Sequence, residues 1–274
     1  MRPTGHHVRT GRQNGRVRLP TTVRPLADVD ELIAVSGGDA YVRAMADPAR
    51  AAGGWHHQGG AVGWLMPSRH APGRAALATV GAAQPAADLL RMVATDDGVV
   101  IGGVTLPRGG TAHLPAGWSL HPANEWEWFR TESEPPRQAH EAQVQWLDEG
   151  TDGAEILALL ERASPRHDAE PGQAHVRQWC GIKDGDGRLV AVAAHTEYKP
   201  GVPFLASVAT DTSVRGRGYG AAVTAWITRE LLAAGTGWVT LGMYSDNAVA
   251  RRLYHRLGFA CDHFFTSGAL VRGD

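Results

Sequence analysis

The chain has 274 residues, 43% of them hydrophobic and 20% charged, with a net charge of −1. That is enough apolar material for a full core in one or two domains. It leaves no broad field for nucleic acid or an anionic membrane surface, and no apolar run approaches the ~20 residues of a membrane span. Cys180 and Cys261 are the two cysteines. They lie far apart and outside any metal-ligand spacing, so they read as small buried apolar residues, with no disulfide and no metal expected. The cytoplasm is the expected location.

Residues 1–19 carry Arg2, Arg9, Arg12, Arg16 and Arg18 without an acid and without the apolar segment of a secretory signal. They read as a disordered arm. Residues 20–136, rich in Gly, Pro and Trp, read as an N-terminal α/β domain. Helices are predicted at 29–35 and 85–93, and strands at 61–66, 75–80, 98–105 and 125–131. The strand–helix–strand piece from 75 onward faintly echoes the second half of the chain, as a degenerate copy would. Glu134-Pro135-Pro136-Arg137 breaks both helix and strand and marks the boundary to a second domain, 137–274.

In that second domain a strand is predicted at 142–147. A helix comes next at 151–163, with Ile156, Leu157, Leu159 and Leu160 as its apolar face, and then a polar loop over 164–172. Strands at 176–183 and 188–198 flank Asp184-Gly185-Asp186-Gly187, a hairpin signal. A further strand at 203–210 leads to a helix at 218–234, whose Val223, Trp226, Ile227 and Leu231 recur at helical spacing and which Gly235 ends. A strand at 238–243 precedes a helix at 247–257, capped by Ser245 or Asp246 and stopped by Gly258. A strand at 259–267 closes the series. The order is that of an α/β or α+β layer structure.

The segment richest in chemistry is Arg215-Gly216-Arg217-Gly218-Tyr219-Gly220, between a strand and a helix. Alternate glycines permit backbone conformations closed to other residues and let the main chain approach a ligand. Converging N–H groups at a helix start favour a pyrophosphate, and Arg215 and Arg217 could add charge-assisted contacts. A Walker A loop is excluded because no Gly-Lys-Ser/Thr comes after it. Gly216, Gly218 and Ala221 satisfy a dinucleotide fingerprint. The remaining chain, however, holds one strand, one helix and a closing strand, too few for a doubly wound fold.

Two motifs together carry a family resemblance. The loop matches the Q/R-x-x-G-x-G/A pattern of the GNAT acyltransferase superfamily in full. Downstream, Asn247, Ala250, Tyr254, Gly258 and Phe259 match its N-x-x-A-x-x-x-Y-x-x-x-G-F helix. The resemblance covers the chain from His140 onward and is tight over 207–259. It implies a mixed central sheet flanked by helices and a site for acetyl-CoA, or another acyl-CoA, as acyl donor. Main-chain N–H groups of Arg215, Gly216, Arg217, Gly218, Tyr219, Gly220 and Ala221 would hold the pyrophosphate. Val208, Ala209 and Thr210 would lie along the pantetheine, in a gap where their strand parts from the one at 239–243. A backbone N–H near Val208 or Ala209 would polarise the thioester carbonyl, worth about 3–4 kcal/mol in the transition state. Asn247 matches the residue that hydrogen-bonds the coenzyme, and Tyr254 the one that protonates the departing thiolate.

No nucleophile in a recognisable setting calls for a covalent acyl-enzyme, so an amine attacks directly. Candidates for a general base are His195 and Glu197, which share one face of a strand. Asp211 and the loop residues His167, Asp168 and Glu170 are weaker candidates. Arg251, Arg252 and Arg256 read as a solvated helix face. Trp126 and Trp128 read as core, and His56-His57 lacks a third ligand for a metal. Deprotonating a lysine-like amine at pH 7 costs about 4.6 kcal/mol, an α-amine about 1 kcal/mol. Without one commanding base, the expected acceptor is a primary amine of a small molecule, amino acid or peptide. The alternative is a non-catalytic regulatory protein that binds acyl-CoA. A homodimer is compatible with either.

Overall fold

The computed structural model describes residues 21–68, 71, 73–95 and 99–273. The basic arm at 1–19 and Gly98 lie outside the described residues. The first half contributes β1 (Val23–Pro25), α1 (Val29–Val35), α2 (Ala40–Met45), β2 (Gly53–His57), β3 (Ala61–Pro67), β4 (Ala75–Gly81), α3 (Ala83–Ala94), β5 (Ile101–Pro107) and β6 (Trp118–Thr131). The second contributes β7 (Gln145–Leu147), α4 (Glu149–Ala163), β8 (Val176–Lys183), β9 (Leu189–Glu197), β10 (Pro203–Thr210), α5 (Tyr219–Ala233), β11 (Val239–Tyr244), α6 (Ala248–Arg256) and β12 (Ala260–Arg272).

Among the described residues these strands form one mixed sheet, in the order β1-β2-β3-β4-β5-β12-β6-β11-β10-β9-β8-β7. The two halves repeat one succession of six strands, the first with a second helix (α2) after its first strand and the second with α6 before its last, and the strand order reads outward from the β12–β6 centre in the same sense on both sides. Each half contains one parallel pair, β4 with β5 and β10 with β11. The closing strands cross over, since β6 pairs with β11 and β12 with β5, both antiparallel.

Alternation along the strands divides the core between two faces. Val192 and Ala194 of β9 join Ile156, Leu159 and Leu160 of α4 and residues of α1 and α2 in one cluster. Ala191 and Ala193 turn the other way, toward Val223, Ile227 and Leu231 of α5 and Tyr254 of α6. α3 covers that same face over β3–β5, because Ala61 and Leu65 pack with it while Val62 and Trp64 face α1 and α2.

Helix starts follow their caps. Asp28, Asp39 and Asp148 each accept a first-turn backbone N–H at the heads of α1, α2 and α4. At α6 the cap is Asn247, which accepts from Ala250 N–H at 3.0 Å, rather than Ser245 or Asp246. Asp246 is instead taken by Arg166 at 2.8 Å. Arg251 also departs from the solvated face read for it. Its guanidinium grips buried Glu127 of β6 through two bonds of 2.9 and 2.5 Å.

Candidate acyl-donor and acceptor site

β10 and β11 pair at Phe204–Thr240 and Leu205–Leu241 and no further. The cause lies in β10. Between Ala206 and Ala209 it spends three steps against the two from Ala194 to Val192 on β9. That is a bulge of one extra residue, which bends the strand out of the ladder. Ser207 sits in it at φ 50°, a left-handed conformation a non-glycine residue adopts only when its surroundings hold it there. They do: Ser207 Oγ donates to Ala169 O at 2.8 Å and accepts from Ala169 N–H at 2.9 Å. The α4–β8 loop is thereby tied to the point where the strands part.

Beyond β10 the chain turns through Asp211, Arg215, Gly216 (φ 79°) and Gly218 (φ 92°) into α5. The helical ladder begins at Ala222 N–H, which donates to Gly218 O at 3.0 Å. The N–H groups of Tyr219, Gly220 and Ala221 are left aimed outward with no partner in the helix. A Cβ on Gly220 would meet Thr210 Oγ1 at 3.0 Å, so glycine lets the helix start close against β10. These features fit an anionic pyrophosphate.

The two arginines differ. Arg215 is spent on the protein, donating to Ala163 O at 2.8 Å and Thr210 O at 3.4 Å. Its guanidinium therefore positions the loop rather than reaching for phosphate. Arg217 is exposed and makes no hydrogen bond or ion pair among the described residues. Asp211 is no base. It accepts from Ser213 N–H and Oγ and from Arg162 and Arg188, and these bonds, Ser213's first, hold its carboxyl far below the usual range.

Tyr254 approaches from the α5–α6 face, its ring 6.0 Å from those of Phe129 and Phe259. Burial pushes its phenol up to about 12, and its hydroxyl, which bonds to none of the described residues, is not among the buried polar atoms left without a partner and so reaches solvent. It is therefore protonated at neutral pH and able to donate. The Asn247 carbonyl oxygen caps α6, while its amide NH2 bonds to no described residue.

His195 and Glu197 do share a face, as strand parity requires, and His195 Nε2 lies 3.6 Å from Glu197. The register carries them away from the gap. His195 is opposite Leu205, where β10 and β11 are still paired, and Glu197 is opposite Pro203, two residues lower. Across the bulge, Val208 stands level with the stretch of β9 between Ala194 and Val192, so at ~3.3 Å per residue His195 lies about 8 Å below it. Glu197 is also engaged by Arg177 at 3.3 Å. Burial, then the charge of Arg177, lowers the His195 pKa.

On the α4 face, beside the bulge, lie the loop candidates His167, Asp168 and Glu170, joined by Tyr198, which the sequence does not mark. Tyr198 Oη donates to Asp168, and His167 Nε2 pairs with Glu170 at 2.9 Å. Trp128 is core, whereas Trp126 is half-buried and donates from Nε1 to Ser267 Oγ at 2.7 Å. An open recess of 570 Å³, lined by Asp39, Arg43, Arg130 and His263, sits lower, level with the still-paired segment of β10 and β11. It is not the site of the glycine loop. Among the described residues no group of His, Cys, Asp or Glu is arranged to hold a metal.

This architecture of a bulged strand, a parting pair and a glycine turn into a helix has the fold of the GNAT N-acetyltransferases. A GCN5-related N-acetyltransferase from Sphaerobacter thermophilus superposes with a TM-score of 0.57 at 15% identity, over 93% of this chain and 96% of that one. A GNAT-family protein from Novosphingobium aromaticivorans gives 0.53 at 22% identity, over 77% and 89%. A GCN5-related N-acetyltransferase from Kribbella flavida gives 0.51 at 21%, over 79% and 88%. Within the fold, residues 180–265 match the family of FR47-like proteins. No curated protein matches the chain.

Proposed function

We propose that the protein is an acyl-CoA-dependent N-acyltransferase that moves an acetyl, or another acyl, group to a primary amine of a small molecule, amino acid or peptide. The observation that carries this is the gap opened by the Ser207 bulge directly ahead of the glycine turn into α5. Acyl-CoA would supply an activated thioester. N–H groups from Arg215 to Ala221 would hold its pyrophosphate, with Arg217 adding charge, while the Asn247 amide and the main chain of Val208, Ala209 and Thr210 would hold its amides.

The two faces of the sheet then divide the work. The amine comes from the α4 face, and its nitrogen bonds to the acyl carbon as the carbon–sulfur bond breaks. Tyr254, on the other face, gives its proton to the departing sulfur. The ammonium sheds one proton to solvent beforehand, which costs an α-amine only about 1 kcal/mol. Once the carbon–nitrogen bond has formed, the nitrogen loses its second proton to solvent, and solvent reprotonates Tyr254. No membrane-spanning helix exists among the described residues. The near-neutral charge supports a small acceptor over nucleic acid.

Thermal melting is the first test. Acetyl-CoA is expected to raise Tm well above the effect of equal NAD or ATP, and CoA release is expected to depend on added amine. Stronger stabilisation by NAD would overturn the reading. Binding without release for every amine in a broad panel would favour a regulatory acyl-CoA-binding protein.

A further inference from the structure

Arg166, in the loop between α4 and β8, reaches across the gap on the α4 face. Its loop is tied to the β10 side by the Ser207–Ala169 clamp, while its guanidinium lies on the β11 side. There it stacks on Tyr244, 4.2 Å from the ring centre, and grips Asp246, just past the end of β11, at 2.8 and 2.9 Å. Both bonds use one nitrogen, Nη2, and Nε and Nη1 bond to none of the described residues. The guanidinium stands at the height of Ala209. That residue is opposite Val192, three steps beyond His195, and Tyr244 is three steps beyond Leu241, which is level with His195 through Leu205. Arg166 thus sits beside the main chain proposed above for the acyl-CoA. Toward the closed end of the gap the floor is apolar, since a Cβ on Gly242 would stand 3.1 Å from Phe204 Cζ and 3.4 Å from the Trp126 ring.

We infer that Arg166 binds the carboxylate of the acceptor and that the acceptor is a free α-amino acid, an inference that rests on the acyltransferase reading above. The pair with Asp246 is open to exchange. Its side chains are 54% and 64% exposed, and an exposed pair of this kind contributes little to stability. The acceptor's carboxylate would take two parallel N–H bonds from the guanidinium in place of the single-nitrogen grip. Stacking on Tyr244 keeps the guanidinium in position during the exchange. Other acids of the loop are engaged, Asp168 by Tyr198 and Glu170 by His167. Because Arg166 lies so near the parting strands, the carboxylate and the attacking amine must be neighbours, as they are in an α-amino acid. The same contact favours attack. A carboxylate beside an amine favours the protonated amine, and pairing that carboxylate with a guanidinium cancels the effect. The neutral amine that the reaction needs is then easier to reach without a base on the protein. The rings around Gly242 offer apolar surface to the amino acid's side chain.

The test uses the full chain and a panel of free α-amino acids, each paired with its amide, which keeps the amine and side chain and lacks the carboxylate. CoA release from acetyl-CoA gives kcat and KM, and calorimetry in the presence of CoA gives binding. The best free amino acid is expected to exceed its amide by about tenfold or more in kcat/KM. Arg166→Ala should raise the KM for that amino acid about tenfold and remove its advantage over the amide. Asp246→Asn should act in the opposite direction and lower that KM, because the competing carboxylate is gone. A tie that served the fold alone would make the two variants alike. Amides used as well as the free acids, or both variants raising KM together, overturns the inference and leaves the acyltransferase reading standing. Arg166-dependent binding of an amino acid with no CoA release from any amine sustains the carboxylate site and overturns that reading. Neither binding nor release with any acid or amide overturns both.

Discussion

Ser207 Oγ and the backbone of Ala169 exchange two hydrogen bonds, of 2.8 and 2.9 Å, and this one clamp joins the bulge that opens the sheet to the α4–β8 loop. Its hydroxyl is used as donor and acceptor at once, which alanine cannot imitate. Ser207 also sits at φ 50°, where glycine would be more at ease. Ser207→Ala keeps the strain and loses the clamp, at an expected cost of about 2 kcal/mol. Ser207→Gly loses the clamp but relieves the backbone and should be less harmful. Both should lower kcat/KM for amine. Urea unfolding that ranks glycine below alanine would show that the positive φ is not a constraint.

Only one coenzyme should bind per chain, although the fold repeats itself. In the first half the strand–helix turn corresponding to the glycine loop is occupied by protein. A Cβ on Gly81 would fall 2.1 Å from Gly60 O, and one on Gly59 would fall 2.8 Å from Pro85. The β2–β3 turn thus lies against the head of α3, and Ala82 N–H donates to Gly60 O at 2.9 Å. In the second half Gly218 has no atom nearer than 3.9 Å to its Cβ position. Calorimetry with acetyl-CoA should give a stoichiometry of one. Gly218→Ala, strained at φ 92° by about 1–2 kcal/mol, should abolish the Tm increase while leaving a folded protein. A stoichiometry of two would refute the blocked turn.

Much of the second half was legible because its elements are local. The strand at 203–210, the Asp-Gly hairpin and the α5 periodicity are written within short windows, and the structure reproduces them to within a residue or two. β1, β2 and α2 escaped notice. β1 has three residues and α2 has six, too few for periodicity to declare itself. Ser207, in Ala-Ser-Val-Ala, carries no mark of a bulge, since its conformation is imposed by a loop 38 positions earlier. Arg251 looked solvated because its partner Glu127 is 124 positions away, on the strand that crosses between halves. Gly242 read as one more strand residue. Its use depends on rings from two neighbouring strands.

Tyr254 should matter both to rate and to alkaline stability. Tyr254→Phe removes the proton donor but keeps the ring against Phe129 and Phe259. An expected fall in kcat of about 100-fold, with little change in KM for acyl-CoA, would separate the acid from the packing. Its pKa rises from 10.0 to about 12 on burial. The stabilisation this reflects is present below pH 10 and is lost as pH climbs through the folded value. Across that interval the wild type should lose about 3 kcal/mol more than Tyr254→Phe. Parallel stability curves between pH 9 and 12 would contradict the raised pKa of Tyr254.

His195 and Glu197 are the residues whose position separates the two accounts of the base most sharply. Parity alone made them a plausible pair, but parity says which face a residue occupies and not how far along it lies. Leu205 and Leu241 remain paired at the level of His195, so the closed part of the sheet stands between its imidazole and the gap. Its pKa is lowered by burial, and Glu197 is held by Arg177 and by Gly201 N–H, each at 3.3 Å. We therefore propose a structural role for them. The double variant His195→Gln, Glu197→Gln should keep its activity toward α-amines to within about threefold, since a group about 8 Å along the strand from the reacting atoms cannot reach the proton in a single hydrogen bond. The pH–rate profile should still rise with deprotonation of the amine, near its own pKa of about 7.8. A loss beyond about 100-fold, with the alkaline limb displaced, would mean that ordered water carries the proton from the gap to this pair, and would return the base to β9.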